Sequence, residues 1–214
     1  FREAVLTFGR GGRRASDMRR RASDSNGNGF KAVTAGQLFE RVGNIVQREE
    51  QVQDAQLGRN DVDVIVGTAK FKDPHELLIT SSQGERTASA KNIMIAVGTR
   101  PATPPDTQLD GERIITSDEI FNLDELPHSM VVIGCGVVGI EYASMFALLG
   151  VEVTVVDGRG TPLEFLDREI VDELVHQMRA INVVFRLGET VERVETRDAA
   201  RGRVVVSLES GKRL

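Results

Sequence analysis

The feature that most constrains this chain is Gly134-Cys135-Gly136-Val137-Val138-Gly139, set between two apolar runs. Upstream, Met130–Ile133 reads as a buried strand. Downstream, the chain reads as a helix to about Leu149, ended by Gly150. Val151–Val156 is then a second buried strand, and Asp157 finishes it. Strand, glycine turn, helix and parallel strand within about 30 residues make a βαβ unit, so an α/β fold is expected.

Glycine-rich turns are common, and the spacing Gly-x-Gly-x-x-Gly by itself says little. Here it follows a strand, opens a helix, and precedes an acidic strand end at close to the expected interval of about 20 residues. That context points to a dinucleotide. Gly134 permits the tight turn, Gly136 lets a pyrophosphate reach the backbone, and Gly139 lets helix and strand pack closely. The helix start offers free N–H groups and partial positive charge to the phosphates. Asp157 can accept hydrogen bonds from the adenosine ribose and would repel a 2′-phosphate, which favours NAD over NADP. Arg159, between Gly158 and Gly160, has two readings: a donor that swings toward a 2′-phosphate, or a solvated loop residue.

The rest of the chain frames this unit. Residues 1–8 read as the tail of a helix and 9–33 as a polar loop. Thr34 is a cap for a helix to about residue 57, with Leu38, Val42, Ile45, Val46 and Val52 as its apolar face. Val62, Val64 and Val66 alternate as in a strand. Leu77–Thr80 and Arg86–Ser89 flank Ser82-Gln83-Gly84 as a hairpin, and Lys91–Val97 reads as an apolar strand. The prolines near 101–105 make 98–112 a connection. A short helix capped by Ser117 is expected over Ser117–Phe121. After Asp157, a helix over Asp167–Arg179 carries Ile170, Val171, Leu174, Val175 and Met178 on its apolar face. Strands follow at 181–187, 190–196 and 203–208, with a turn at Asp198–Gly202.

Composition narrows the function. The net charge of −5 argues against nucleic acid as a partner. The charge is uneven, because residues 9–31 are strongly basic and carry Arg-Arg-Ala-Ser-Asp twice, at 13–17 and 20–24. A solvated, duplicated insertion accounts for this better than a basic binding patch or a kinase target. Cys135 is the only cysteine, so no internal disulfide forms. In the glycine loop it reads as a small spacer rather than a redox thiol. His75, His128 and His176 are not at metal-ligand spacing, so no metal is expected. No apolar run approaches a membrane span and no signal peptide is visible, so the expectation is a cytoplasmic protein without a membrane partner.

Several stretches resemble the flavoprotein pyridine nucleotide–disulfide oxidoreductases. Ile95-Ala96-Val97-Gly98-Thr99-Arg100-Pro101 resembles the strand end that closes that family's first FAD segment. Ser117-Asp118-Glu119 before Leu126-Pro127 resembles its linker, and Val132–Ala143 its second nucleotide loop. Phe1–Leu6 and Phe165–Leu174 resemble the branch of the family that acts as transhydrogenases. The resemblance implies a Rossmann-like FAD/NAD(P)-binding fold, with a partial FAD domain over 1–115 and most of an NAD(P) domain over 116–214. It implies that Gly134, Gly136, Val137, Val138 and Gly139 line the nicotinamide dinucleotide, with Asp157 on its ribose and Val191 beside the adenine; Gly158 and Arg159, next to Asp157, are candidate contacts to the same dinucleotide. Glu141 would lie near the nicotinamide. Ala69, Val97, Gly98 and Thr99 would contact FAD.

The implied cofactors are FAD, NAD and NADP, and the implied chemistry is hydride transfer from NADPH to NAD+ through the flavin. The family's first glycine loop, its cysteine helix, its second FAD segment and its dimerisation domain have no counterpart between Phe1 and Leu214. The chain is therefore expected to be the central fragment of a homodimeric parent, inactive alone. Two alternatives stand beside this reading: a dihydrolipoamide dehydrogenase-like disulfide reductase, which an upstream Cys-x4-Cys pair would mark, and a non-catalytic NAD-binding module.

Overall fold

The computed structural model describes residues 34–103, 107–197 and 203–214. The expected helix tail at 1–8, the loop at 9–33 and the turn at Asp198–Gly202 lie outside the described residues. The chain forms two compact units. One takes the chain up to Gly43 and from Pro101 to Leu214; the other is Asn44–Arg100.

The first described element is helix α1, Ala35–Arg59. Its start is a reciprocal capping box: the Gln37 N–H donates to Thr34 Oγ1 at 3.2 Å, and the Thr34 N–H to Gln37 Oε1 at 3.3 Å. Ala35, Leu38 and Val42 are buried, and Phe39 meets Phe121 edge-on at 6.1 Å. Of the expected apolar face, Ile45 is only half-buried, and Val46 and Val52 are exposed. A 25-residue helix is about 37 Å long, and only its first turns are covered.

The second unit holds an antiparallel meander of β1 (Thr68–Asp73), β2 (Glu76–Ser81) and β3 (Gly84–Ser89). The β2–β3 hairpin turns at Ser82-Gln83, as expected from the sequence. Two expected strands are absent. Neither Val62–Val66 nor Lys91–Val97 pairs with any described segment, and Val64, Val66, Met94 and Val97 are exposed. An alternating or apolar pattern makes a strand only where a neighbouring strand takes up its hydrogen bonds.

The site lies in the first unit. A 3-10 turn, Glu119–Asn122, precedes β4 (Ser129–Ile133). Ser117 does not cap this turn. The Glu119 carboxylate accepts from the Thr116 N–H at 2.7 Å instead, reaching back as an N-terminal carboxylate can. Next come α2 (Val137–Leu148), β5 (Glu152–Asp157), α3 (Arg168–Ala180) and β6 (Val184–Leu187). The sheet runs β4-β5-β6, all parallel, with Val132 opposite Val155 and Val155 opposite Phe185.

The period of two along these strands sorts their side chains between two cores. Met130, Val132, Val153, Val155, Phe185 and Leu187 pack with Ile140, Ala143 and Phe146 of α2 and with Val171, Val175 and Met178 of α3. On α3 only Ile170 departs from the expected face; it is exposed in the first turn. Val131 and Val156 point the other way, toward Val206 and Leu208 of an antiparallel pair, β7 (Val191–Arg197) and β8 (Arg203–Leu208). The unit is thus a parallel sheet with helices on one face and an antiparallel strand pair on the other, an α/β architecture.

Candidate functional site

The glycine turn sits where β4 hands over to α2, at the carboxyl end of the strands. In open parallel sheets, ligands bind at this end. Gly134 has φ +107°, outside the range of most side chains, and its N–H donates to the Val156 carbonyl at 2.8 Å, tying the turn to β5. A Cβ on Gly139 would lie 2.1 Å from the Gly134 carbonyl oxygen, so the first turn of α2 lies directly on the loop. Gly136 is the N-cap of α2, and a Cβ there would meet nothing within 4 Å. The space beside it is open to a ligand, next to the free N–H groups of the helix start. Val137 and Val138 are both half-exposed at this helix start.

Asp157 ends β5 beside this loop. Its Oδ2 accepts from the Cys135 N–H at 2.7 Å, so the carboxylate holds the glycine loop in place. Its Oδ1 accepts from the Arg159 N–H at 2.8 Å, and the Arg159 guanidinium forks onto both oxygens, Nε to Oδ1 at 2.9 Å and Nη2 to Oδ2 at 2.7 Å. The guanidinium, followed by the two backbone donors, holds this carboxyl well below the usual carboxylate range despite partial burial. The backbone around the pair is also fixed: the Gly188 N–H donates to the Arg159 carbonyl and the Glu189 N–H to the Asp157 carbonyl. Thr190 Oγ1 stands 3.7 Å from where a Gly158 Cβ would be.

Cys135 is fully buried, and its thiol pKa is pushed up to about 11, first by burial and then by the Asp157 carboxylate. A thiol held neutral in this way is a spacer, in keeping with the sequence reading. Glu141, one turn into α2, lines an open cleft of about 540 Å³ with Ser117, Asp118, Phe121, Val138, Tyr142 and Met145. Burial and the nearby Asp118 and Glu141 carboxylates raise the Tyr142 phenol, which favours its protonated, donating form.

The structure therefore gathers Gly134, Gly136, Val137, Val138, Gly139, Asp157, Gly158 and Arg159 at one end of the sheet. Glu141 is farther along α2. Val191 is half-buried against Val156, Val206 and Leu208, just after the Gly188–Thr190 connection from β6. Ala69, Val97, Gly98 and Thr99 are all exposed and belong to the other unit. Sequence reasoning missed the Asp157–Cys135 bond, the Arg159 fork and the cleft residues Ser117, Asp118, Phe121, Tyr142 and Met145. One signal was available: aspartate commonly accepts from the N–H two residues on, as Asp157 does from Arg159.

A glycine turn opening a helix, with an acidic residue at the end of the next strand, is the arrangement of Rossmann-type α/β folds. The chain belongs to the pyridine nucleotide-disulphide oxidoreductase family, whose profile matches residues 11–214. It is 44% identical over 184 residues to a soluble pyridine nucleotide transhydrogenase of Mycobacterium bovis, covering 85% of this chain and 39% of the relative. It is 38% identical over 185 residues to that of Colwellia psychrerythraea, covering 86% and 39%. Among solved structures it is similar to LpdA from Mycobacterium tuberculosis, with TM-score 0.78 and 25% identity over 99% of this chain and 46% of that one. It is also similar to the HOCl-induced flavoprotein disulfide reductase RclA from Escherichia coli, with TM-score 0.72 and 26% identity over 94% and 42%. The chain spans about two fifths of the length of these curated relatives.

Proposed function

We propose that this chain is the central part of a soluble pyridine nucleotide transhydrogenase, which moves hydride between NADPH and NAD+ through FAD. In this reading residues 1–115 belong to the FAD domain and 116–214 to the NAD(P) domain. The observation that carries it is the Asp157–Arg159 pair at the end of β5. A carboxylate suited to a ribose diol and a guanidinium suited to a 2′-phosphate share one corner of the site. A transhydrogenase has to accept both dinucleotides. The 44% identity to a protein of that name supports the same reading.

The residues fit a bound dinucleotide. The open space at Gly136 and the N–H groups of the α2 start suit the pyrophosphate, with Val137 and Val138 against it. Asp157, Gly158 and Arg159 serve the adenosine ribose, and Val191 packs near the adenine. Glu141 and the cleft along α2 serve the nicotinamide end. The apolar run around Met94–Val97 is 67–90% exposed at Met94, Ile95 and Val97, a surface suited to cover by the flavin and its domain. Ala69, Gly98 and Thr99, also exposed, contact FAD in this reading. When bound, the flavin supplies the hydride-carrying chemistry, and this chain's residues hold and orient the nicotinamide partner.

No helix among the described residues is long and apolar enough to cross a membrane. The reading includes a cytoplasmic, homodimeric parent with nicotinamide dinucleotides as partners. The disulfide-reductase alternative draws on the likeness to RclA. Side-by-side titration with NADH and NADPH separates the two: saturable binding of both supports the transhydrogenase, and NADH alone supports the alternative. Binding of neither by the folded chain removes the dinucleotide site itself.

A further inference from the structure

We propose that Arg159 is a two-way latch on the ribose end of the site, which lowers affinity for NAD(H) and raises it for NADP(H). The proposal rests on the dinucleotide reading above and extends it. A carboxylate offers about four acceptor positions. On Asp157 all four are taken, by Arg159 N and Nε on Oδ1 and by Cys135 N and Arg159 Nη2 on Oδ2. A ribose diol therefore reaches Asp157 only by displacing a donor. Cys135 N is held in the glycine turn and Arg159 N in the loop that Gly188 and Glu189 pin by their own N–H groups. The donor free to leave is the guanidinium. Its side chain is 46% exposed while that of Asp157 is 9% exposed.

The two dinucleotides meet this arrangement differently. An unmodified ribose trades its two hydroxyls for the two guanidinium N–H donors, and the Asp157–Arg159 fork opens. A 2′-phosphate brought to the same place faces the Asp157 charge, and only a guanidinium between them makes that contact favourable. Arg159 then turns its fork from carboxylate to phosphate, both of which it matches in two-pronged geometry. One side chain thus competes with one ligand and recruits the other, which brings the two affinities closer together.

The test uses the adenosine half alone, so that neither nicotinamide nor flavin contributes. The chain and its Arg159→Ala and Arg159→Lys variants are titrated calorimetrically with ADP-ribose and with 2′-phospho-ADP-ribose, after thermal melts establish that each is folded. Arg159→Ala is expected to bind ADP-ribose about three- to tenfold more tightly and 2′-phospho-ADP-ribose at least about tenfold more weakly. Arg159→Lys, with a point charge and no fork, is expected to lie between. Loss of 2′-phospho-ADP-ribose with unchanged ADP-ribose affinity overturns the latch and leaves a plain phosphate-binding arginine. No change in either ligand overturns it in favour of a solvated loop residue, and weakening of both in favour of a loop support. If the folded wild-type chain binds neither probe, the dinucleotide reading fails first, and that result is distinct from all of these.

Discussion

Two alanine substitutions in the glycine motif, one at the cap of α2 and one in its first turn, should separate folding from binding. At Gly139 a new Cβ would stand 2.1 Å from the Gly134 carbonyl oxygen, 3.1 Å from its carbon and 3.4 Å from Val132 Cγ1. Ordinary contact begins near 3.4 Å. The obstacle is backbone, held by the Gly134 N–H bond to Val156, so it cannot rotate aside. Relief requires α2 to lift from β4 and lose part of its packing through Ile140, Ala143 and Phe146. Overpacking of this kind costs about 3 kcal/mol, and replacing a helical glycine by alanine returns about 1 kcal/mol. The net loss of about 2 kcal/mol lowers Tm by roughly 4–8 °C in a chain of this size. At Gly136 the backbone is at φ −73° and the Cβ meets nothing, so Gly136→Ala should melt within about 2 °C of wild type. Its methyl group occupies the space proposed for the pyrophosphate, so NADH affinity should fall at least about tenfold. Circular-dichroism melts and a fluorescence titration measure both quantities. A Gly139→Ala chain that melts like wild type refutes the packing account. A Gly136→Ala chain that binds NADH normally refutes the placement of the phosphates.

Two further outcomes follow from the titrating groups. The Asp157 carboxyl is depressed in the folded state, so its contribution to stability is complete above the unfolded value of about 3.9 and is lost as pH falls below it. Asp157→Asn should lower stability at neutral pH, and its denaturation midpoint should converge on the wild-type value in acid; parallel curves down to pH 2 would contradict this. With the Cys135 thiol fully buried and raised to about 11, iodoacetamide at pH 8 should leave the folded chain unlabelled and modify it fully in denaturant. Rapid labelling of the folded chain, followed by mass spectrometry, would show that the loop opens.

The local sequence determined the βαβ unit, because each of its signals is local: apolar runs for β4 and β5, glycines with a conformational or packing need, and an acidic strand end. The α1 start was legible at Thr34 for the same reason, since a capping box spans only four residues. What sequence could not decide were matters of partnership. Val62–Val66 and Lys91–Val97 have strand-like patterns, yet a strand exists only where another strand takes its hydrogen bonds, and no described segment does so. Val46 and Val52 share the spacing of Leu38 and Val42, but packing covers only the first turns of α1. Arg159 offered two readings along the chain, the open loop and the phosphate ligand. The tertiary structure shows a third, because parallel pairing of β4 and β5 brings the Cys135 N–H to Asp157 and orients the carboxylate to receive the guanidinium as well. Residue type and spacing fix which groups are available, and the register of the sheet decides which of them meet.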